Sequence, residues 1–403
     1  MSRALLAPAL RSRNFRLFWL AQTISTIGTS LQVIAEGYLI YDLTNSTFWL
    51  GAVGFIALLP VVPISLAGGV LIDRLPRRKL LLATQVGLLL QASLFGLLAI
   101  SGRVTLPSVI FLYFIFGALL AIDNPARRAF LVDIVERDDL ANAVALNATI
   151  FNISSVVGFA LGGVLIASIG VGGTMLLNAL TYFFPIIALA FIRVPDVGQD
   201  QEHKSFGIAM TEGLVSLAHQ PVVLGVIAVA TVVGGLAYPV IGLMPAYAKD
   251  IMGVDSIGLG ILLSAVALGS VLGTFGAARL GTHQRGRNLM LAAFILPLLV
   301  ASVAFAPGMA VACLALVGVG FLLLIVQSLA VTLVQLETPD RIRGRVMTIY
   351  SMLHAGSDTG GNVLIGTLAV PLGLSLALVI GSGVALLFNG ITNLLVPGIR
   401  RMG

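Results

Sequence analysis

The amino-acid sequence predicts an all-α integral membrane protein in which twelve helices cross the bilayer. The first observation behind this prediction is composition: the 403-residue chain is 58% hydrophobic and only 10% charged, whereas a soluble protein carries about 25% charged residues. The second is that runs of roughly twenty apolar residues, the length that crosses the hydrocarbon core, alternate with short charged segments. Lipid is therefore expected to surround most of the exterior.

The apolar runs define the predicted spans, whose ends fall at Pro, at Gly or at charge clusters. In chain order the spans cover 15–42, 47–72, 79–101, 106–125, 139–168, 172–192, 221–248, 256–279, 288–305, 308–335, 342–370 and 372–396. The first span follows a basic N-terminus, as a signal peptide would. Because its apolar run continues without a clean cleavage site, we interpret it as a transmembrane helix.

The distribution of basic residues predicts the orientation of the chain. If both termini are cytoplasmic, 21 of the 23 Lys and Arg residues lie in cytoplasmic segments, and only Arg103 and Lys249 lie outside. Cytoplasmic loops of membrane proteins are enriched in these residues, so we expect a multi-pass membrane protein with both ends inside. The same scatter of basic residues among apolar runs argues against a nucleic-acid partner.

An internal repeat predicts two halves of similar structure. Segment 136–166 resembles segment 338–368 at an offset of 202 residues, which is half the chain, and each segment enters a long apolar run from a charged turn. Two six-helix halves in the same orientation imply a pseudo-twofold axis along the membrane normal. The predicted domains are an N-terminal six-helix bundle, a cytoplasmic linker with the longest polar run, and a C-terminal six-helix bundle, at 1–192, 193–220 and 221–403.

A charged motif lies between the second and third spans, where the chain reads GGVLIDRLPRRKLLL from Gly68. It resembles the signature of the major facilitator superfamily between helices two and three, roughly G-x-L-x-D-R-x-G-R-R, although Pro76 replaces a glycine. The segments 37–60, 124–147 and 343–352 resemble the branch that includes enterobactin-type siderophore exporters and macrolide efflux proteins. This resemblance implies two bundles that rock about a central substrate site, in a protein of the bacterial inner (plasma) membrane.

Two departures from the family pattern leave the direction of transport and the coupling scheme open. Drug antiporters of the superfamily carry a G-P-x-x-G-G-like motif in helix five, but Phe159 occupies the position of the proline in this chain. The branch usually reads G-x-x-P-x-G in helix eleven. Here Gly356-Ser-Asp358-Thr359-Gly360-Gly361 lacks that proline and adds a carboxylate.

The charged motif is a candidate gate on the cytoplasmic side. Asp73 is an anion near the membrane surface, and a helix N-terminus offers free N–H groups and a positive dipole end. We expect Asp73 to dock at the start of helix eleven, or to pair with Arg127 or Arg128, when this gate is closed. The alternative is that the cluster only sets topology. The gating candidates are Gly69, Asp73, Arg74, Arg77, Arg78, Arg127, Arg128, Arg343 and Arg345.

Ionisable residues inside predicted spans are candidates for proton coupling, because a charge at mid-bilayer costs about 2.5–3.5 kcal/mol even on insertion scales. Glu36 in the first span either faces the cavity or is satisfied by a neighbouring helix. His354 and Asp358 are four residues apart, so they share a helix face and either carry a proton or simply satisfy each other. Asp123 precedes Asn124-Pro125 at the predicted end of helix four, where gating or capping is favoured over coupling.

Polar residues on predicted inward faces are candidates for lining the substrate cavity, with packing as the alternative for each. They are Gln32, Tyr38, Tyr113, Asn152, Tyr238 and Gln327. An aromatic cavity with few fixed charges suits a large, partly apolar substrate.

The sequence contains none of the usual patterns for nucleotide binding, catalysis or metal binding. None of the three lysines follows a glycine, so there is no Walker-A loop, and the four histidines have no metal-ligand spacing. We therefore expect no enzyme activity, no cofactor and no metal. The favoured function is proton-coupled export of drug- or siderophore-like amphipathic molecules by a monomer, through alternating access. The alternatives are uptake or flipping of a lipid-like substrate, and a non-transporting assembly or sensing protein.

Overall fold

The computed structural model describes residues 8–61, 63–64, 75–192, 214–280 and 284–402. Helices of nine residues or more in these ranges are numbered in chain order. The first six are α1 Arg13–Thr44, α2 Thr47–Leu58, α3 Arg77–Ile100, α4 Leu106–Asp133, α5 Leu140–Thr181 and α6 Phe183–Phe191. The other six are α7 Pro221–Ala237, α8 Ser256–Leu280, α9 Arg285–Ala304, α10 Met309–Glu337, α11 Asp340–Leu372 and α12 Leu374–Leu395.

The observed helices confirm the predicted all-α membrane fold. Nine stretches of the described residues are long and apolar enough to cross a membrane. One of them, 153–191, overlaps two predicted spans, 139–168 and 172–192, and Gly170, with a positive φ (φ 72°, ψ 173°), breaks it between them. The described part of α2 is a shorter apolar helix. α11 is not among the nine, and it carries a charged first turn and a polar middle.

Two helix boundaries differ by several residues from the sequence prediction, and both lie near prolines. α4 was expected to end at 125 but continues through Pro125 to Asp133. Proline is tolerated inside membrane helices because neighbouring groups satisfy the backbone positions that it frees. The predicted span 221–248 is instead interrupted: α7 ends at Ala237 and short pieces begin at or next to Pro239 and Pro245. A five-residue π-helix then follows.

The described residues group into two compact units. The first takes in the described residues of 1–43 and 56–202, and the second takes in those of 44–55 and 203–403. The start of α2 thus belongs to the second unit, where the Thr47 hydroxyl donates to the Gly366 carbonyl of α11 at 2.8 Å. The domain bounds given by the sequence stay a prediction.

Each unit has its own packed interior. In the first unit an apolar core joins α1, α3 and α4, and the rings of Phe18 and Phe130 meet there at 5.6 Å between centroids. In the second unit α8 and α10 approach closely through glycines. A Cβ at Gly269 would overlap the carbonyl of Val317, and one at Gly320 would overlap that of Val266. Small residues that let helix backbones approach are characteristic of packing within membranes.

Candidate functional site

A buried polar cluster occupies the first unit, centred on Gln32 of α1. The Gln32 amide donates to Glu36 Oε1 at 2.7 Å and to Gln91 Oε1 of α3 at 3.2 Å. Asn178 Nδ2 of α5 donates to Gln32 Oε1 at 2.5 Å. Gln32 therefore connects three helices through hydrogen bonds to three buried side chains.

Glu36 is the ionisable member of this cluster, and its residue exposure is 0%. Its Oε2 has no hydrogen-bond partner among the described residues. Gln32, Gln91 and the Tyr113 hydroxyl group lie beside the carboxyl group, and all three are neutral side chains. A proton on Glu36 would therefore remove a charge that is costly to bury.

The second unit holds another polar cluster, on the middle of α11. His354 Nε2 lies 3.7 Å from Asp358 Oδ2 and 3.0 Å from Gln327 Nε2 of α10. The ring of Tyr350 stacks on the His354 ring, 5.8 Å between centroids and 7° from parallel. The shared helix face predicted from the four-residue spacing is present in the structure.

This second cluster has unused hydrogen-bonding capacity. Asp358 Oδ1 and His354 Nδ1 have no hydrogen-bond partner among the described residues. A separation of 3.7 Å between His354 and Asp358 is too long for a direct hydrogen bond. Their side chains are 22% and 19% exposed, and Tyr238, the residue that follows α7, lies nearby. One carboxyl oxygen and one imidazole nitrogen of the cluster are therefore buried without a partner among the described residues.

Asp123 is placed differently from the sequence prediction. It lies in the interior of α4, so it does not cap the helix, and it is fully buried. Its Oδ1 accepts hydrogen bonds from the Thr84 hydroxyl at 2.7 Å and the Gln85 amide at 2.8 Å, and its Oδ2 pairs with Arg127. Asp123 thus joins α3 to α4 within the first unit.

Two basic residues of the charged motif, Arg77 and Arg78, bind neighbours in their own unit. Arg77 forms an ion pair with Asp133 of α4 at 2.6 Å. Arg78 donates to the carbonyls of Leu189 and Ala190, at 2.6 and 2.9 Å, near the end of α6. A basic side chain at a helix C-terminus satisfies carbonyls that lack helical partners. Three further gating candidates, Gly69, Asp73 and Arg74, lie outside the described residues.

The remaining gating candidates have been placed, but their gating role stays a prediction. Arg343 pairs with Asp340 at 2.5 Å and donates to the carbonyls of Gln335 and Thr338, at 2.7 and 3.3 Å, so it holds the turn between α10 and α11. Arg345 is half-buried and Arg128 is exposed.

The cavity candidates are divided between the two units. Gln32 and Tyr113 belong to the Glu36 cluster, whereas Gln327 contacts His354 and Tyr238 lies near Asp358. Tyr38 is half-buried in α1, and the side chain of Asn152 lies outside the described part of the chain.

Sequence reasoning missed several partners of the candidate residues. They are Thr84, Gln85, Gln91, Asp133, Asn178 and Tyr350. The signal available was that amide and hydroxyl side chains within apolar spans tend to bond across helices. Among the described residues, no three His, Cys, Asp or Glu side chains come together as a metal site.

Long apolar helices with ionisable side chains buried among them are typical of polytopic membrane proteins that move ions or solutes. A family model described as transmembrane secretion effector matches residues 4–400. The chain therefore belongs to this family of the major facilitator superfamily, and the family resemblance seen in the sequence is confirmed.

Curated relatives match nearly the full chain. The multidrug efflux pump Tap of Mycolicibacterium fortuitum is 26% identical over 386 residues, which is 93% of each protein. The enterobactin exporter EntS of Salmonella typhimurium is 27% identical and covers 96% of this chain and 93% of its own length. EntS of Escherichia coli O1:K1 / APEC is 28% identical, with 95% and 91% covered.

Solved structures share the fold at low identity. A bacterial homologue of the human lysosomal transporter Spinster superposes with a TM-score of 0.72 at 15% identity over 98% of each chain. The nucleoside transporter NupG gives 0.74 at 12% identity, over 94% of this chain and 98% of that chain. The relatives and structural neighbours are membrane transporters and not enzymes, so this chain is a multi-pass transporter of small molecules.

Proposed function

We propose that this transporter exports amphipathic small molecules, drug- or siderophore-like, against their gradient by exchange for protons. The relatives whose names state a function are a multidrug efflux pump and enterobactin exporters, which supports export and this substrate class. We further propose that the protein works as a monomer by alternating access. Its place would be the bacterial inner membrane, with both termini in the cytoplasm, as the distribution of Lys and Arg favours.

The observation that carries the proposal is the cluster on α11. Asp358 lies in the middle of the predicted eleventh span, is half-buried and lies beside His354, and its Oδ1 has no hydrogen-bond partner among the described residues. Ionisable groups within membrane segments mark ion or substrate pathways by default, because they are costly to keep there. Asp358 and His354 would pick up and release the proton, and Gln327 and Tyr238 would contact the substrate.

The other two buried carboxyl groups receive different proposed roles. Glu36 is a second coupling candidate, since it has neutral neighbours and one oxygen without a hydrogen-bond partner among the described residues. Asp123 accepts from two neutral side chains and pairs with Arg127. We propose that it is structural, because a carboxylate with a cation and two donors is already satisfied where it lies.

The proposal is tested by transport in liposomes with an imposed pH gradient. The purified chain is reconstituted, and the accumulation of a siderophore and of a macrolide in the liposomes is followed with and without the gradient. Asp358→Asn should abolish gradient-driven accumulation while downhill exchange persists, because the coupling proton has no acceptor. Asp138→Asn is the matched control, since Asp138 is an exposed aspartate in the short 3-10 helix Arg137–Asp139 and its loss should leave transport intact.

Two results would overturn the proposal. Wild-type flux that ignores the pH gradient would remove proton coupling. Accumulation by Asp358→Asn at the wild-type rate would remove the α11 cluster from the coupling path.

A further inference from the structure

A groove on the second unit lies between the start of α9 and the end of α12. It encloses about 410 Å³, and its lining includes Arg287, Leu291, Phe294, Asn393 and Arg400. This groove is separate from the polar cluster on α11 and has no role in the proposed transport step.

Polar and apolar groups are ordered along the groove. Arg287 lies in the first turn of α9, and Arg400 lies in the short 3-10 helix Pro397–Arg401 that follows α12. Leu291 and Phe294 are about one and two turns further along α9, so Phe294 lies roughly 10 Å deeper at 1.5 Å per residue. These two side chains are 50% and 49% exposed. The groove is therefore cationic at the helix ends and apolar toward the bilayer interior.

The charge in the groove favours an anion. Both arginines are exposed, and none of the described residues that line the groove is acidic. Asn393 accepts a hydrogen bond from Arg400 Nε, which orients that guanidinium group while its terminal nitrogens stay available. Guanidinium groups bind phosphate through paired charge-assisted hydrogen bonds.

The groove is held in shape by contacts beneath it. The Gly286 amide donates to the Met402 carbonyl at 3.3 Å, and a Cβ at Gly286 would overlap the Ile399 carbonyl. The Asn389 amide donates to the Met290 carbonyl at 3.3 Å. These contacts fix the start of α9 against the end of α12, so the two arginines are positioned before a ligand arrives.

We infer that this groove binds an anionic phospholipid of the surrounding bilayer, of the phosphatidylglycerol type. Arg287 and Arg400 hold the phosphate, and the acyl chains run along Leu291 and Phe294. Basic pockets between membrane helices at the level of the headgroups bind acidic lipids for this reason. A soluble anion would use the arginines alone, whereas the exposed apolar side chains below them match a ligand with hydrocarbon tails.

Native mass spectrometry of the full-length, delipidated chain tests this inference. Phosphatidylglycerol and phosphatidylcholine with identical acyl chains are titrated, and glycerol phosphate is added as the headgroup without tails. Wild-type protein should bind phosphatidylglycerol about 25-fold more tightly, the size expected when each of two basic residues near an anionic lipid contributes about fivefold. Arg287→Gln and Arg400→Gln should each remove about fivefold of that preference. Arg341→Gln, an exposed arginine at the start of α11, should not.

A photoactivatable phosphatidylglycerol on the wild-type protein gives a second measurement that needs no variant to fold. Crosslinks should fall within 285–294 and 389–400. Equal binding of both lipids, crosslinks that avoid these segments, or unchanged preference in both arginine variants would overturn the inference. Displacement of the lipid by glycerol phosphate would also overturn it, in favour of a soluble-anion site.

Discussion

Replacing Gln32 with leucine should destabilise the first unit more than any single hydrogen bond would explain. Gln32 is fully buried and bonds to Glu36, Gln91 and Asn178. At the ~0.6 kcal/mol typical of a hydrogen bond between membrane helices, three lost bonds amount to about 2 kcal/mol. Leaving buried partners unsatisfied raises the cost, so we expect the free energy of unfolding to fall by about 2–4 kcal/mol.

The measurement is unfolding by SDS titration in detergent micelles, followed by circular dichroism. Gln22→Leu is the matched control, because Gln22 is also buried in α1 but its amide donates only to Thr26 of the same helix, at 3.4 Å. Its loss should cost less than about 1 kcal/mol. If the two variants lose the same stability, Gln32 does not connect the helices energetically and the reasoning is wrong.

Three further predictions use the same unfolding assay. Gly320→Val should lower the free energy of unfolding by about 3 kcal/mol, since the added side chain would force α8 and α10 apart. Gly308→Ala should change it little, because no atom lies within 4 Å of a Cβ placed there. Arg78→Gln should lower the free energy of unfolding by about 1–2 kcal/mol, because two carbonyls at the end of α6 lose their donor. Lys79→Gln, at an exposed position, should leave it almost unchanged. Thr47→Val should cost about 1 kcal/mol, because the methyl group cannot donate to the α11 carbonyl; an unchanged midpoint would contradict each of the three losses.

The fold was largely predictable because lipid imposes a simple rule on sequence: each crossing needs a long apolar run. The break between the fifth and sixth spans was placed correctly, at Gly170. Proline was the harder signal, because its effect depends on context. Pro125 is accommodated inside α4, whereas the chain is broken around Pro239 and Pro245, and local sequence does not distinguish these outcomes.

The candidate site was only half predictable. The pairing of His354 with Asp358 follows from helical spacing alone, since both are on one helix. The link from Gln32 to Asn178 joins residues 146 apart in the chain, so it depends on how the helices pack, which one sequence does not specify. Asp123 was assigned to a helix end because α4 was expected to stop at Pro125. The structure places it in the interior of α4, so it does not cap that helix.

The two coupling candidates can be separated by measuring stability and transport together. Glu36 is enclosed with one oxygen unpartnered among the described residues, and Gln preserves the acceptor that Gln32 uses. Glu36→Gln should therefore leave the unfolding free energy equal to that of the wild type or higher, because burying a charge is costly. Asp358→Asn removes a half-buried group and should change the free energy of unfolding by less than about 1 kcal/mol.

If Asp358 carries the proton, gradient-driven accumulation is lost in Asp358→Asn and kept in Glu36→Gln. The reverse pattern would move coupling to α1, and loss in both would mean that the two carboxyl groups act in one proton path.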